Sequence, residues 1–128
     1  MKKQLFFLIV VAVMLAACGM PAPVEGRGPV FFDSADLLIL ESFPIQLRLV
    51  MQGNLPTPCH ELAYEIAEAN AQNQIHVSVY TTVDPAVTCM QVLEPFDESI
   101  AIPLDGLADG EYSVWLNGDQ IGEFSYPG

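Results

Sequence analysis

The side chains with the greatest chemical range in this sequence belong to three cysteines and two histidines, and their spacing restricts what they can do. Cys18, Cys59 and Cys89 include no Cys-x-x-Cys pair, the usual arrangement of redox-active thiols, although His60 follows Cys59 directly. His60 and His76 share no ligand spacing with each other or with the cysteines. We therefore expect neither a redox centre nor a transition-metal centre.

Carboxylates in the C-terminal third offer a different chemistry. Asp105 and Asp109 each precede a glycine, within a stretch (97–119) that is rich in acids. Carboxylates from several turns at one end of a domain could hold Ca²⁺ through oxygen ligands. The Asp-Gly pairs are also ordinary turn chemistry, and the stretch has no EF-hand spacing. Ca²⁺ is therefore kept as an alternative expectation.

Motifs for catalysis are absent from the sequence. It contains no Gly-x-Ser-x-Gly, no His-Glu-x-x-His and no phosphate-binding loop. Pairs of carboxylates are weak evidence for a catalytic site here, because a chain with 16 acidic residues contains such pairs by chance. We expect a protein that is not an enzyme.

Residues 1–17 have the composition of a secretory signal peptide. Lys2 and Lys3 precede an apolar run from Leu5 to Ala17, which is shorter than the roughly 20 residues that cross a membrane. The run closes on Leu15-Ala16-Ala17-Cys18, which resembles the lipobox of bacterial lipoproteins. The resemblance implies cleavage before Cys18, a diacylglyceryl thioether on its sulfur and usually an acyl chain such as palmitate on its amine. Two or three chains would hold the protein firmly on a membrane.

The anchor also implies a location and a redox environment. Cys18 would attach the protein to the extracytoplasmic side of the cell membrane or, because no Asp follows it, of an outer membrane. That side is oxidising, so the remaining Cys59 and Cys89 are predicted to form one disulfide. It would close a loop of about 31 residues, worth roughly 3–4 kcal/mol in the chain-entropy model.

The charge balance narrows the class of partner. Without residues 1–17 the chain has Arg27 and Arg48 against 16 acids, a net charge of −14. Such a surface repels phosphate backbones, which excludes nucleic acid as a natural partner. It favours cations or a basic partner, although acidity can also serve solubility alone.

Alternation of apolar and polar residues predicts strands in an all-β domain. Residues 45–52, 74–81 and 99–104 each alternate, as half-buried strands do. The inward residues would be Ile45, Leu47, Leu49 and Met51 in the first strand, Ile75, Val77 and Val79 in the second, and Ile100, Ile102 and Leu104 in the third. A short strand over 36–41 would precede them, and Gly53 to Pro58 would end the first alternating strand.

Residues 61–69 permit two interpretations. Their helical propensity is high, and Leu62, Ile66 and Ala69 would form a helical stripe. Leu62, Tyr64 and Ile66 also alternate with period two. We favour a strand, because the segments on both sides are strands.

The C-terminal segment carries the signature of a fold. Leu107 to Tyr112 resembles the tyrosine corner of immunoglobulin-like sandwiches, in which a tyrosine at the start of the penultimate strand bonds to nearby backbone. Asn117-Gly118 predicts a two-residue hairpin turn before the last strand. The resemblance implies an immunoglobulin-like β-sandwich of about seven strands. Val114 stands where antibody domains have cysteine, so the expected disulfide is not the antibody one.

These patterns divide the chain into three parts. Residues 1–17 are the signal peptide, 18–35 the lipidated cysteine with a flexible tether rich in Pro and Gly, and 36–128 the sandwich domain. If Tyr112 and Val114 face the core, Trp115 faces outward and is a candidate binding residue. Tyr80 is outward by the same parity, although its distance from Trp115 does not follow from the sequence. Alternatively, Trp115 covers the sheet beside Ile121.

The expected function is that of a membrane-anchored, non-catalytic binding module whose partner is an unidentified envelope protein or ligand. One alternative is a calcium-stabilised structural protein of the envelope. Another is a protease inhibitor that presents the loop Leu55-Pro56-Thr57-Pro58.

Lipidation of Cys18 is directly testable. We expect the protein extracted from membranes to have the intact mass of a chain that begins at Cys18 and carries two or three acyl chains. A Cys18→Ser variant should retain its signal peptide and lack the lipid. An unmodified chain that begins at any other residue would contradict the expectation.

Overall fold

The computed structural model describes residues 26–128, so the signal peptide, Cys18 and nearly all of the tether lie outside the described residues. Residues 26–128 contain eight strands: β1 (Arg27–Gly28), β2 (Phe31–Leu40), β3 (Gln46–Leu55), β4 (Glu61–Ile66), β5 (Gln74–Thr82), β6 (Glu94–Ile102), β7 (Gly110–Leu116) and β8 (Asp119–Tyr126). In this part of the chain no helix is long and apolar enough to cross a membrane.

The strands form two sheets. The smaller sheet has the order β2-β3-β6, and the larger one joins β1, β4 and β7 to β5, with β8 beyond β7. The all-β sandwich is confirmed, with eight strands instead of about seven. The strand interpretation of 61–69 is also confirmed, because β4 pairs with β5 from Glu61 to Ile66.

The core lies between the sheets. Every inward residue predicted for the three alternating segments is buried except Ile45, which is half-buried. The buried hydrophobic side chains are Leu47, Leu49, Met51, Leu55, Ile75, Val77, Val79, Ile100, Ile102, Leu104, Tyr112, Val114, Leu116 and Phe124. Tyr64 is an exception to the alternation in β4: this edge strand leaves its ring exposed.

The predicted ends of the first strands were wrong. Strand β2 begins at Phe31, five residues before the start of the strand predicted over 36–41, and a bulge between Phe32 and Ser34 interrupts its alternation. Strand β3 continues through Gly53 to Leu55. Glycine is required there, because a Cβ on Gly53 would lie 2.1 Å from the carbonyl oxygen of Phe31. The residue that was expected to break the strand instead permits close approach of β2.

Strand β5 has neighbours along both edges. On one edge it pairs with β4. On the other edge, Gln74–Val77 pair in parallel with β7, and Thr81 and Thr82 pair with β1. The parallel pair departs from the antiparallel sheets of immunoglobulin domains.

Asn117 bridges the gap that β7 and β1 leave along β5. Asn117 and Gly118 form the predicted two-residue turn, with φ angles of 48° and 90°. The Asn117 backbone N–H donates to the Val77 carbonyl at 2.9 Å. Its side-chain Oδ1 accepts from the Val79 N–H at 2.8 Å, and its Nδ2 donates to the Val79 carbonyl at 3.0 Å. The side-chain amide of Asn117 therefore continues the hydrogen-bond ladder on this edge of β5, at a position that neither β7 nor β1 reaches.

The predicted tyrosine corner and the predicted disulfide are both present. The hydroxyl of Tyr112 donates to the Ala108 carbonyl at 2.8 Å, which is the geometry of a tyrosine corner. The ring of Tyr112 stacks on Phe124 with centroids 5.5 Å apart. Cys59 and Cys89 form the disulfide, and it ties the segment before β4 to the loop between β5 and β6.

The tyrosine corner gives a first stability prediction. Tyr112→Phe keeps the stacked ring but leaves the Ala108 carbonyl without its partner, so we expect a loss of about 1–2 kcal/mol in the free energy of unfolding. Urea denaturation measures it. Tyr64→Phe, at an exposed ring, is the control and should change stability by less than about 0.5 kcal/mol. Equal effects of the two variants would show that the Tyr112 hydroxyl contributes nothing special.

The Asn117 bridge gives a second stability prediction. Asn117→Gly preserves the positive φ of the turn and removes the amide, which leaves two backbone groups of Val79 unpaired; we expect a loss of about 1–3 kcal/mol. Hydrogen exchange at the Val79 amide should accelerate in parallel. Asn117→Asp is the matched control, since its carboxylate can still accept from the Val79 N–H. Unchanged exchange in Asn117→Gly would refute the bridging role.

Candidate binding face

The outer surface of the larger sheet gathers aromatic and charged side chains into one face. Alternation sends Val77, Val79 and Val114 into the core, so His76 and Tyr80 of β5 and Trp115 of β7 point to the opposite side. Arg27 of β1 joins them through its pairing with Thr82. We call His76, Tyr80, Trp115 and Arg27 the aromatic face.

Trp115 and His76 form its centre. The parallel register places them side by side, with ring centroids 5.7 Å apart and planes inclined by 31°. The Trp115 Nε1–H donates to the Ser113 hydroxyl at 3.0 Å, and His76 Nε2 lies 3.3 Å from Gln74 Oε1. Because the indole N–H already has a partner within the protein, Trp115 offers an arriving ligand mainly the surface of its ring.

Tyr80 and Arg27 form the second part of the face. The Arg27 guanidinium carbon lies 3.9 Å from the Tyr80 ring centroid, a cation–π contact. Arg27 Nη2 also donates to Glu65 Oε1 at 2.6 Å. Both partners are solvent-exposed in part, so the ion pair itself contributes about 0–1 kcal/mol. Its structural effect is to hold Arg27 over Tyr80.

The two predicted binding residues, Trp115 and Tyr80, lie on the same face without touching. His76 contacts Trp115. Tyr80 lies four residues beyond His76 along β5, which places the two backbone positions about 13 Å apart at roughly 3.3 Å per residue. Sequence reasoning missed His76 and Arg27 as members of the face. His76 could have been found, because it lies an even number of residues before Tyr80 in the same strand and therefore faces the same side. Arg27 could not, because it had been assigned to the tether.

The predicted calcium ligands occupy the connection between β6 and β7. Asp105 lines an open cleft of about 450 Å³ together with Glu68, but Asp109 does not line it. Over residues 26–128 there is no group of three or more His, Cys, Asp or Glu side chains placed to hold a metal ion. The structure therefore brings Asp105 and Asp109 no third ligand of these types.

The loop 55–58, which the inhibitor hypothesis would present to a protease, is largely covered by the rest of the domain. Leu55 is the last residue of β3 and is buried, as is Thr57. The Thr57 hydroxyl lies 2.7 Å from His60 Nδ1 and accepts from the Cys59 N–H at 3.3 Å. Only Pro58 of the four residues is exposed.

Comparison with known proteins identifies the domain. A family model described as the ORF11 beta-sandwich domain matches residues 49–126, from within β3 to the end of β8. No curated protein and no solved structure was found to match. The matched range covers well over half of the chain and contains β4 to β8, the disulfide and the tyrosine corner. This chain belongs to the ORF11 beta-sandwich domain family.

Proposed function

We propose that this protein is a lipid-anchored, extracytoplasmic binding module that recognises a basic protein partner through the aromatic face. The signal peptide and the lipobox-like Leu15-Ala16-Ala17-Cys18 support the anchor. The observation that carries the binding role is the pair of Trp115 and His76, whose rings lie against each other on the outer face of the sheet and not in the core. Tryptophan is enriched where binding energy concentrates.

The charges around the face support a basic partner. Glu65, Glu111 and Glu123 lie on the same side of the sheet, since each pairs with an outward residue of a neighbouring strand, and all three are exposed. They form an acidic rim around the aromatic centre, in which Glu65 is already paired with Arg27. A Lys or Arg of a partner could stack on Trp115 while the rim attracts its charge. With a net charge of −14 after signal removal, the whole domain would steer such a partner.

Photo-crosslinking in cells tests the proposal. A photoreactive residue at position 115 should give a discrete protein adduct that mass spectrometry can identify. The control is the same probe at Arg48, on the outer side of the smaller sheet, where its side chain bonds to Ser99. Adduct yield from position 115 should fall in Glu123→Gln and as ionic strength rises, because the rim acts through screened charges.

The proposal fails if positions 115 and 48 give the same adducts, or if neither gives one. It also fails in part if an adduct forms from 115 alone but is insensitive to salt. In that case Trp115 binds through its ring and the basic character of the partner is wrong.

A further inference from the structure

One end of the sandwich exposes an apolar loop. The connection between β5 and β6 (83–93) carries four solvent-exposed hydrophobic side chains, of which Met90 is the most exposed at 71%. The other three are Val87, Val92 and Leu93. Nine consecutive residues of this loop, 85–93, carry no charge, in a chain that is otherwise rich in acids. An exposed cluster of this kind usually marks a surface that something else covers.

A disulfide and local hydrogen bonds fix the conformation of this loop. The disulfide joins Cys89 to Cys59, and the Asp84 carboxylate accepts from the Ala86 N–H at 2.9 Å. The Val87 N–H also donates to the Asp84 carbonyl, at 3.2 Å. The apolar side chains are therefore presented outward by a fastened loop.

The chain enters the domain at this same end. Arg27 pairs with Thr82, the last residue of β5, so Gly26 lies beside the start of the loop. The C-terminus lies at the other end, where the Pro127 carbonyl accepts from the Ile45 N–H. Eight residues separate Cys18 from Arg27, and fully extended they reach about 29 Å, at roughly 3.6 Å each. An anchor on Cys18 would therefore be connected to the domain at the loop end and not at the C-terminal end.

We infer that the loop 83–93 inserts its apolar side chains into the interface of the bilayer that holds the lipid on Cys18. This inference rests on the anchor in the proposed function. The absence of charge over residues 85–93 fits a zwitterionic lipid surface, whereas the acidic domain would be repelled by an anionic one. The second contact would orient the sandwich with its strands upright, so that Trp115 faces sideways and stays accessible to a partner on the same membrane.

Photo-crosslinking to lipid tests this orientation. The full-length protein, purified from membranes and shown by intact mass to carry lipid on Cys18, is placed in phosphatidylcholine vesicles that contain radiolabelled phospholipid. Probes at positions 90 and 93 should yield phospholipid adducts at least about fivefold above a probe at Phe43. Phe43 is the matched control: it is 84% exposed and lies in the turn between β2 and β3, at the opposite end of the sandwich.

Each other outcome overturns a defined part of the inference. In protein whose mass confirms the lipid, equal adducts at 43 and 90, or none at 90 and 93, reject insertion of the loop and leave the anchor intact. Adducts to a second copy of the chain would assign this end to self-association instead. A mass without lipid on Cys18 rejects the anchor and, with it, membrane docking.

Discussion

Strand β5 is the constraint on which the larger sheet depends. Its nine residues have hydrogen-bonding groups along two edges, and buried backbone groups must find partners. Strand β4 supplies them along one edge, but on the other edge β7 ends before β1 begins. The Asn117 amide supplies the missing donor and acceptor at Val79. A residue chosen for the turn thereby also completes the sheet.

The same strand positions the surfaces to which we assign function. His76 and Tyr80 lie on its outer face, and its parallel register with β7 places Trp115 against His76. Beyond Thr82 the chain turns into the exposed apolar loop, and β1 enters the sheet beside that point. The proposed binding face and the proposed membrane contact therefore both depend on how this one strand is paired.

Local patterns in the sequence predicted the local structure well. The alternation around Leu49 and Val77 identified inward faces, and Asn117-Gly118 identified the turn, because each depends on neighbouring residues alone. The start of β2 was missed because a bulge after Phe32 disrupts the period-two pattern. Gly53 was misjudged because its role, close approach to Phe31, depends on a distant segment.

The candidate face was only partly predictable for the same reason. Outward positions for Trp115 and Tyr80 follow from parity within each strand. Their arrangement around His76 requires a parallel pairing between segments 39 residues apart, which no local pattern encodes. The cover of Tyr80 by Arg27 likewise depends on a two-residue strand, too short to give a periodic signal.

Trp115 is the only tryptophan in the chain, and it lies at the centre of the aromatic face. The intrinsic emission of the protein above the tyrosine band therefore comes from this one site. The ring is half-buried against His76, so its emission maximum and its quenching respond to whatever covers or uncovers the outer side of the sheet. The protein carries its own optical reporter for occupancy of the face, without any added label.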